Sequence, residues 1–203
     1  MNPRADTHLK MNMRQQIIDS AMRHLYRMGY NRFSFAYVSK DCGIAKASIH
    51  YHFPNKDSLV IAAIEKYTNE RREFLAALRD NQGLNAAKKF DKLFDYAYDH
   101  IIAMNYVGCL AGNLGLEISE TNQNIRLLIN DFMNYKANIL VDIIEAGKKT
   151  GHFKKTADSK QVAQSIMASL EGGIVISKIS KSPDMLAAAL NVCRNIVRDD
   201  LLA

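Results

Sequence analysis

Chain breakers are scarce in this sequence: 203 residues hold 3 prolines and 10 glycines. That shortage leaves room for long helices and argues against an all-β fold with many tight turns. Cysteine is nearly as rare. Cys42, Cys109 and Cys193 are too few and too far apart for a disulfide framework, and their number is odd. A reducing cytoplasm is therefore the expected compartment. No stretch approaches the roughly 18 uninterrupted apolar residues of a membrane span, so no membrane partner is expected. Met1 to Gln16 are polar and basic, without the apolar core of a secretory signal. No Asn-x-Ser/Thr glycosylation acceptor occurs. What remains is ordinary globular material, with 48% apolar and 24% charged residues. That balance excludes disordered, collagen-like and mucin-like chains. The length suits one moderate domain or two small ones.

The net charge of +6 is not spread along the chain. Residues 1–56 carry nine Lys/Arg against three Asp, and residues 57–203 carry 18 of each sign. The excess thus belongs entirely to the first quarter, together with His8, His24, His50 and His52. A small polyanion-binding module attached to a neutral body has this pattern, and so does a merely soluble basic surface. Charge alone supplies attraction to phosphate and carries no sequence recognition.

Helical periodicity runs through the chain. Ile17, Ile18, Ala21, Met22, Leu25 and Met28 predict a helix over Met13–Met28 stopped by Gly29. Ser34 is placed to cap a short second helix, Phe35–Cys42. Gly43 follows, then a third helix from about Ala45 to His52, ended by Pro54. Asn55 can cap a fourth from Lys56 to about Leu78, before the linker Asn81-Gln82-Gly83. Phe90, Leu93, Phe94, Ala97, Tyr98, Ile101 and Ile102 make a fifth apolar stripe. Gly108–Glu117 predicts a short, close-packed helix, and Ile125–Ala146 a long one ending near Lys148 and Lys149. Asp158 with Gln161 opens a helix to about Lys178, and Ser182-Pro183 opens a last one. The expected fold is all-α, with about nine helices and no strand ladder.

Two short helices joined through Gly43, after a longer one, match a helix-turn-helix. Within the third, Ile49 and Phe53 point inward at 3.6 residues per turn. Lys46, Ser48, His50 and Tyr51 lie on other faces, where a groove and its phosphates would be met. Lys56, opening the next helix, could also meet phosphate. The stretch Arg14 to Ile64, about a quarter of the chain, resembles the DNA-binding domain of the TetR family of bacterial transcription regulators. Ile17-Ile18-Asp19-Ser20-Ala21, Gly29-Tyr30 and the run Ile44 to Leu59 carry the likeness. The resemblance implies that Lys46, Ala47, Ser48, His50 and Tyr51 face double-stranded DNA, with Ser34 and Lys56 on its backbone. Ala45, Ala47, His50 and His52 depart from the family's usual residues, so an operator cannot be borrowed from a relative. It further implies domains at 11–56 (motif about 34–53) and 84–203, joined by the helix at about 56–78. The second domain would bind a small-molecule effector and form a homodimer on a palindromic operator.

Gly108 to Leu114 with Glu117 is similar to a subgroup that includes repressors of N-ethylmaleimide reductase. That likeness makes Cys109 a candidate sensor thiol for a reactive electrophile; the alternative is a small buried hydrophobe. Lys178, on one helix face with Glu171 and Ile174, is the candidate to stabilise its thiolate, or else a solvated helix end. Cys42 and Cys193 read as packing residues. The dimer is expected from the last two helices, with Gly172 and Gly173 allowing close approach and Leu170, Leu190, Ile196 and Val197 in contact. No metal site or cofactor is expected: His50 and His52, at i and i+2, do not face each other on a helix. Gly147-Lys148-Lys149-Thr150 lacks the upstream glycine of a phosphate loop, since Asp142 stands there. The aromatic and Met stripes (Phe94, Tyr98, Met104, Tyr106, Phe132, Met133, Tyr135) are core, with some available to line a ligand site. A DNA-binding repressor released by a small molecule or by thiol modification accounts for charge and motif together. A cysteine-dependent enzyme or a helical scaffold leaves both unexplained.

Overall fold

The computed structural model describes residues 3–118 and 122–202, with side chains from Met13 onward. Among the described residues there are nine α-helices, and the only β-type pairing is an isolated bridge between Phe153 and Leu202. The helices are α1 (Pro3–Arg32), α2 (Phe35–Cys42), α3 (Lys46–His52), α4 (Lys56–Asp80) and α5 (Ala86–Ala103). They continue with α6 (Leu110–Ile118), α7 (Gln123–Lys149), α8 (Ser159–Ser180) and α9 (Pro183–Ile196), the last running into a π-helical turn, Val197–Leu201.

The boundaries differ from the sequence expectation mainly at the first helix, which begins ten residues earlier. Gly29 does break it, at φ 73° and ψ −176°, and one further turn carries the chain to Arg32. The caps follow local chemistry. Asn55 accepts from the Ser58 N–H at 2.8 Å, while the Ser58 hydroxyl accepts from the Asn55 N–H, closing a capping box. Asp158 accepts from the N–H groups of Lys160 and Gln161. Ser34 occupies the N-cap of α2, but its side chain makes no capping bond.

The amino-terminal helices close a small core of Ile17, Ala21, Leu25, Phe33, Val38, Ile49 and Leu59. The long α4, roughly 37 Å at 1.5 Å per residue, runs from that module into the second core, where Leu75 and Leu78 are buried with Phe90, Phe94 and Phe132. The hinge turn between α5 and α6 is tight: Asn105, Tyr106 and Gly108 all have positive φ.

α8 and α9 pack closely against each other. A Cβ on Gly173 would stand 2.3 Å from the Ala189 Cβ, so only glycine permits this approach. By length and composition α8 is apolar enough to cross a membrane, but Ile166, Leu170 and Ile174 turn into the core.

Candidate nucleic-acid interface and effector pocket

Ile49 and Phe53 are buried and anchor α3 by its inner face. That orientation leaves Lys46, Ala47, Ser48, His50 and Tyr51 exposed on one seven-residue helix, with Tyr51 74% exposed. His50 is held in place: its ring meets Phe35 edge-on at 4.8 Å, and Nδ1 lies 3.3 Å from the Pro54 carbonyl. The exposed Ser34 hydroxyl, not used as a cap, sits at the start of α2. Lys56 is half-buried, with Nζ 4.1 Å over the Tyr30 ring, and burial lowers its pKa. Arg14, not singled out in the sequence, stacks its guanidinium over Phe53 at 4.9 Å, adding a cation beside α3. Only the charge excess of the segment pointed to it.

The α1–α2 angle is fixed by Asp41. It accepts from the Ser20 hydroxyl at 3.0 Å and lies 2.9 Å from His24 Nε2. Burial pushes the Asp41 carboxyl up, but the Ser20 bond and the His24 and Arg23 charges outweigh it, leaving its pKa below the usual value.

In the second domain α4, α5, α7, α8 and the turn before α6 surround a cavity of about 80 Å³. Its wall is largely apolar. The polar side chains in it are Arg71, His100, the Lys136–Glu171 ion pair, Tyr96, and Tyr67 beside the Cys109 thiol. Arg71 lies over the Tyr67 ring at 4.7 Å and approaches His100 Nε2 at 3.0 Å. Burial, reinforced by Arg71, lowers the His100 pKa, so its ring accepts this bond in the neutral form. Nearby, the buried Tyr26 hydroxyl from α1 makes no hydrogen bond among the described residues.

Cys109 lines this cavity, immediately before α6. Its sulfur is 3.4 Å from the Tyr67 hydroxyl and accepts from the Gly112 N–H. Burial, with Glu171 beside it, raises the thiol pKa, the opposite of the low-pKa thiol expected. The cation that acts on the sulfur is Lys136 of α7, not Lys178. Lys178 instead runs past Gly108, and the charge facing it is Glu117.

The expected dimer contacts are also placed differently. Leu170, Leu190 and Val197 are buried inside the monomer, and Ile196 is half-buried. Gly173 serves the α8–α9 contact within the chain, while Gly172 faces open space. α8 and α9 each carry apolar residues on two sides, and the chain's own core covers the side of Leu170, Leu190 and Val197. The outer faces carry Ile176, Ile179, Met185 and Val192 instead.

Two hydrogen-bonded links tie the amino-terminal module to the helices beyond α4. The Asn31 N–H donates to Glu117 of α6 at 3.1 Å. Asp57 accepts from the Tyr30 hydroxyl at 2.6 Å and from Asn122, the N-cap of α7, at 2.8 Å. Neither link was visible in the sequence, because the partners lie 27 to 86 residues apart.

The chain is similar over 77% of its length, at 26% identity, to the fatty acid metabolism regulator protein of Bacillus subtilis, 78% of which is covered. It is 19% identical to the transcriptional repressor NemR of Escherichia coli, over 94% of this chain and 96% of that one. Among solved structures, a TetR-family regulator from Agrobacterium tumefaciens matches with a TM-score of 0.86, at 24% identity over 96% of this chain and all of the other. The reduced form of E. coli NemR matches with 0.78, at 21% identity over 91% and 96%. Residues 17–63 match the model for bacterial regulatory proteins of the tetR family, spanning α1 to α4 where α3 is presented. Residues 86–193 match the tetracyclin repressor-like C-terminal domain, which holds α5, α7 and α8 of the pocket wall. With both halves matched in this order, the chain belongs to the TetR family of bacterial regulatory proteins.

Proposed function

We propose that this protein is a cytoplasmic one-component repressor. A homodimer reads a palindromic operator through α3 and leaves it when a ligand fills the pocket between α4, α5, α7 and α8. The observation that carries this reading is α3 itself, held by two buried residues with five side chains outward, on the module that holds the whole positive excess. Lys46, His50 and Tyr51 offer groups for base edges; Ser34, Lys56 and Arg14 offer them for phosphate. One such helix reads only a few base pairs, so operator recognition needs two on a twofold axis. The outer faces of α8 and α9 supply the pairing surface. Gly172, Ile176 and Ile179 lie at i, i+4 and i+7, and Met185 and Val192 at i and i+7.

Release by a bound ligand is favoured over release by thiol modification. Cys109 is buried with a raised pKa, so little thiolate is present at neutral pH. The test is a gel shift with duplex DNA from upstream of the gene. Nanomolar protein at moderate salt should retard that fragment and leave a scrambled one free. Equal, salt-labile binding to both fragments would reduce the module to a basic surface.

A further inference from the structure

We propose that the pocket takes a small monocarboxylate with an apolar body, such as one aromatic ring or a short alkyl chain, its carboxylate seated on Arg71. The proposal rests on the reading of this pocket as the effector site. Arg71 enters from α4, and its side chain is only 17% exposed. A guanidinium has five N–H donors, yet the hydrogen-bonded partner here is His100, which is neutral. The nearest carboxylate, Glu70, stands 3.6 Å away, beyond hydrogen-bond reach, and already accepts from Lys66. Every other charge in the wall is cancelled, because Lys136 and Glu171 pair with each other. Tyr67 and Cys109 stay protonated, since burial raises both.

The pocket therefore holds one positive charge whose only carboxylate neighbour, Glu70, is a loose ion pair at 3.6 Å and not a hydrogen bond, so the guanidinium's donors toward the cavity have no anionic acceptor among the described residues. A planar fork of donors matches a carboxylate in two parallel bonds. The rest of the wall, including Phe74, Leu93, Ile101 and Phe132, asks for hydrocarbon. A phosphate dianion would leave its second charge unpaired among these residues. The cavity of about 80 Å³ is half open to solvent, so it seats the carboxylate end of a small acid and lets the hydrocarbon body extend past the wall.

The experiment uses the full-length protein and the operator fragment, with three probes of one shape: benzoate, benzamide and benzylamine. Hexanoate and hexanamide repeat the comparison on an alkyl body. Thermal shift and operator release are read together. Benzoate or hexanoate should raise Tm and release DNA at concentrations at least tenfold below the matching amide, with the amine inactive. Arg71→Gln should abolish the preference for acid over amide, and Arg71→Lys should keep part of it. The wild-type series decides even if a variant folds poorly. An amide or amine acting as well as the acid, or an acid preference surviving in Arg71→Gln, overturns the proposal. If the neutral probes release the operator and Ile101→Trp blocks them, the effector pocket stands and the carboxylate falls. If the acids raise Tm through Arg71 but release no DNA, the carboxylate stands and the effector reading falls; if no probe does either, the carboxylate falls.

Discussion

Tyr51 is the most exposed aromatic on α3, and its ring meets the neighbouring His52 edge-on at 5.2 Å. Tyr51→Ala should fold normally and weaken operator binding by about 1–3 kcal/mol. Lys56 differs, because its ammonium is stacked on Tyr30. Lys56→Ala should weaken binding to operator and scrambled DNA alike and reduce the salt slope by about one. Unchanged affinity in both variants would remove this face from DNA. The thiols make a separate prediction, because reactivity follows thiolate fraction and access. Cys42 is half-buried, Cys109 buried, and burial pushes Cys193 up to about 11. A timed N-ethylmaleimide pulse followed by peptide mass mapping should label Cys42 first. Faster labelling at Cys109 would revive the sensor-thiol reading.

Between elements, the joint of α1 and α6 is built on Gly29. Its φ of 73° suits glycine, and a Cβ there would fall 1.8 Å from the Glu117 carboxylate that accepts from Asn31. Gly29→Ala should therefore cost more stability than Glu117→Ala, itself expected at about 1–3 kcal/mol for the bond lost. The double variant should be less destabilised than the sum of the two, because removing the carboxylate removes the clash and leaves only the dihedral strain. Strict additivity in urea unfolding would place Glu117 elsewhere. The α1–α2 joint responds to acid. Asp41 has a depressed pKa in the folded state, so its contribution is complete above the ordinary aspartate value of about 4 and is lost as pH falls through the folded value. Asp41→Asn should lose about 1 kcal/mol at pH 7 and show a flatter stability profile below pH 5. A wild-type profile just as flat would deny Asp41 that role.

At the scale of the whole molecule, an effector can act only through different affinity for two arrangements of the DNA-binding modules. Two elements join the pocket to the DNA-binding module: α4 lines the pocket and starts at Lys56, and α6 starts just after Cys109 and ends beside Asn31. In the proposed dimer the two modules act together, and the pairing face then decides operator binding. Ile176→Asp and Ile179→Asp alter exposed residues and should yield folded monomers that lose operator binding, as read by sedimentation and gel shift. A charge at Leu190 should unfold the protein instead, because that residue is buried in the monomer. Variants at Ile176 and Ile179 that remain dimeric would move the interface to another surface.

Local chemistry sufficed for much of this. The helical repeat, the caps at Asn55 and Asp158, and the breaks at Gly29, Gly43 and Pro54 located the helices, since each is set by residues within a turn of one another. The inward pair Ile49 and Phe53 likewise followed from 3.6 residues per turn, and with it the outward side of α3. Packing decided the rest. Periodicity shows that α8 and α9 have apolar faces but not which one the chain itself covers, so Leu170 and Leu190 went inside and Ile176 and Ile179 out. Composition shows cations but not their neighbours. Lys136 rather than Lys178 came to Cys109, and Arg71 came to the pocket, because four helices distant in sequence converge there. Such meetings depend on how whole helices cross, which no single segment encodes.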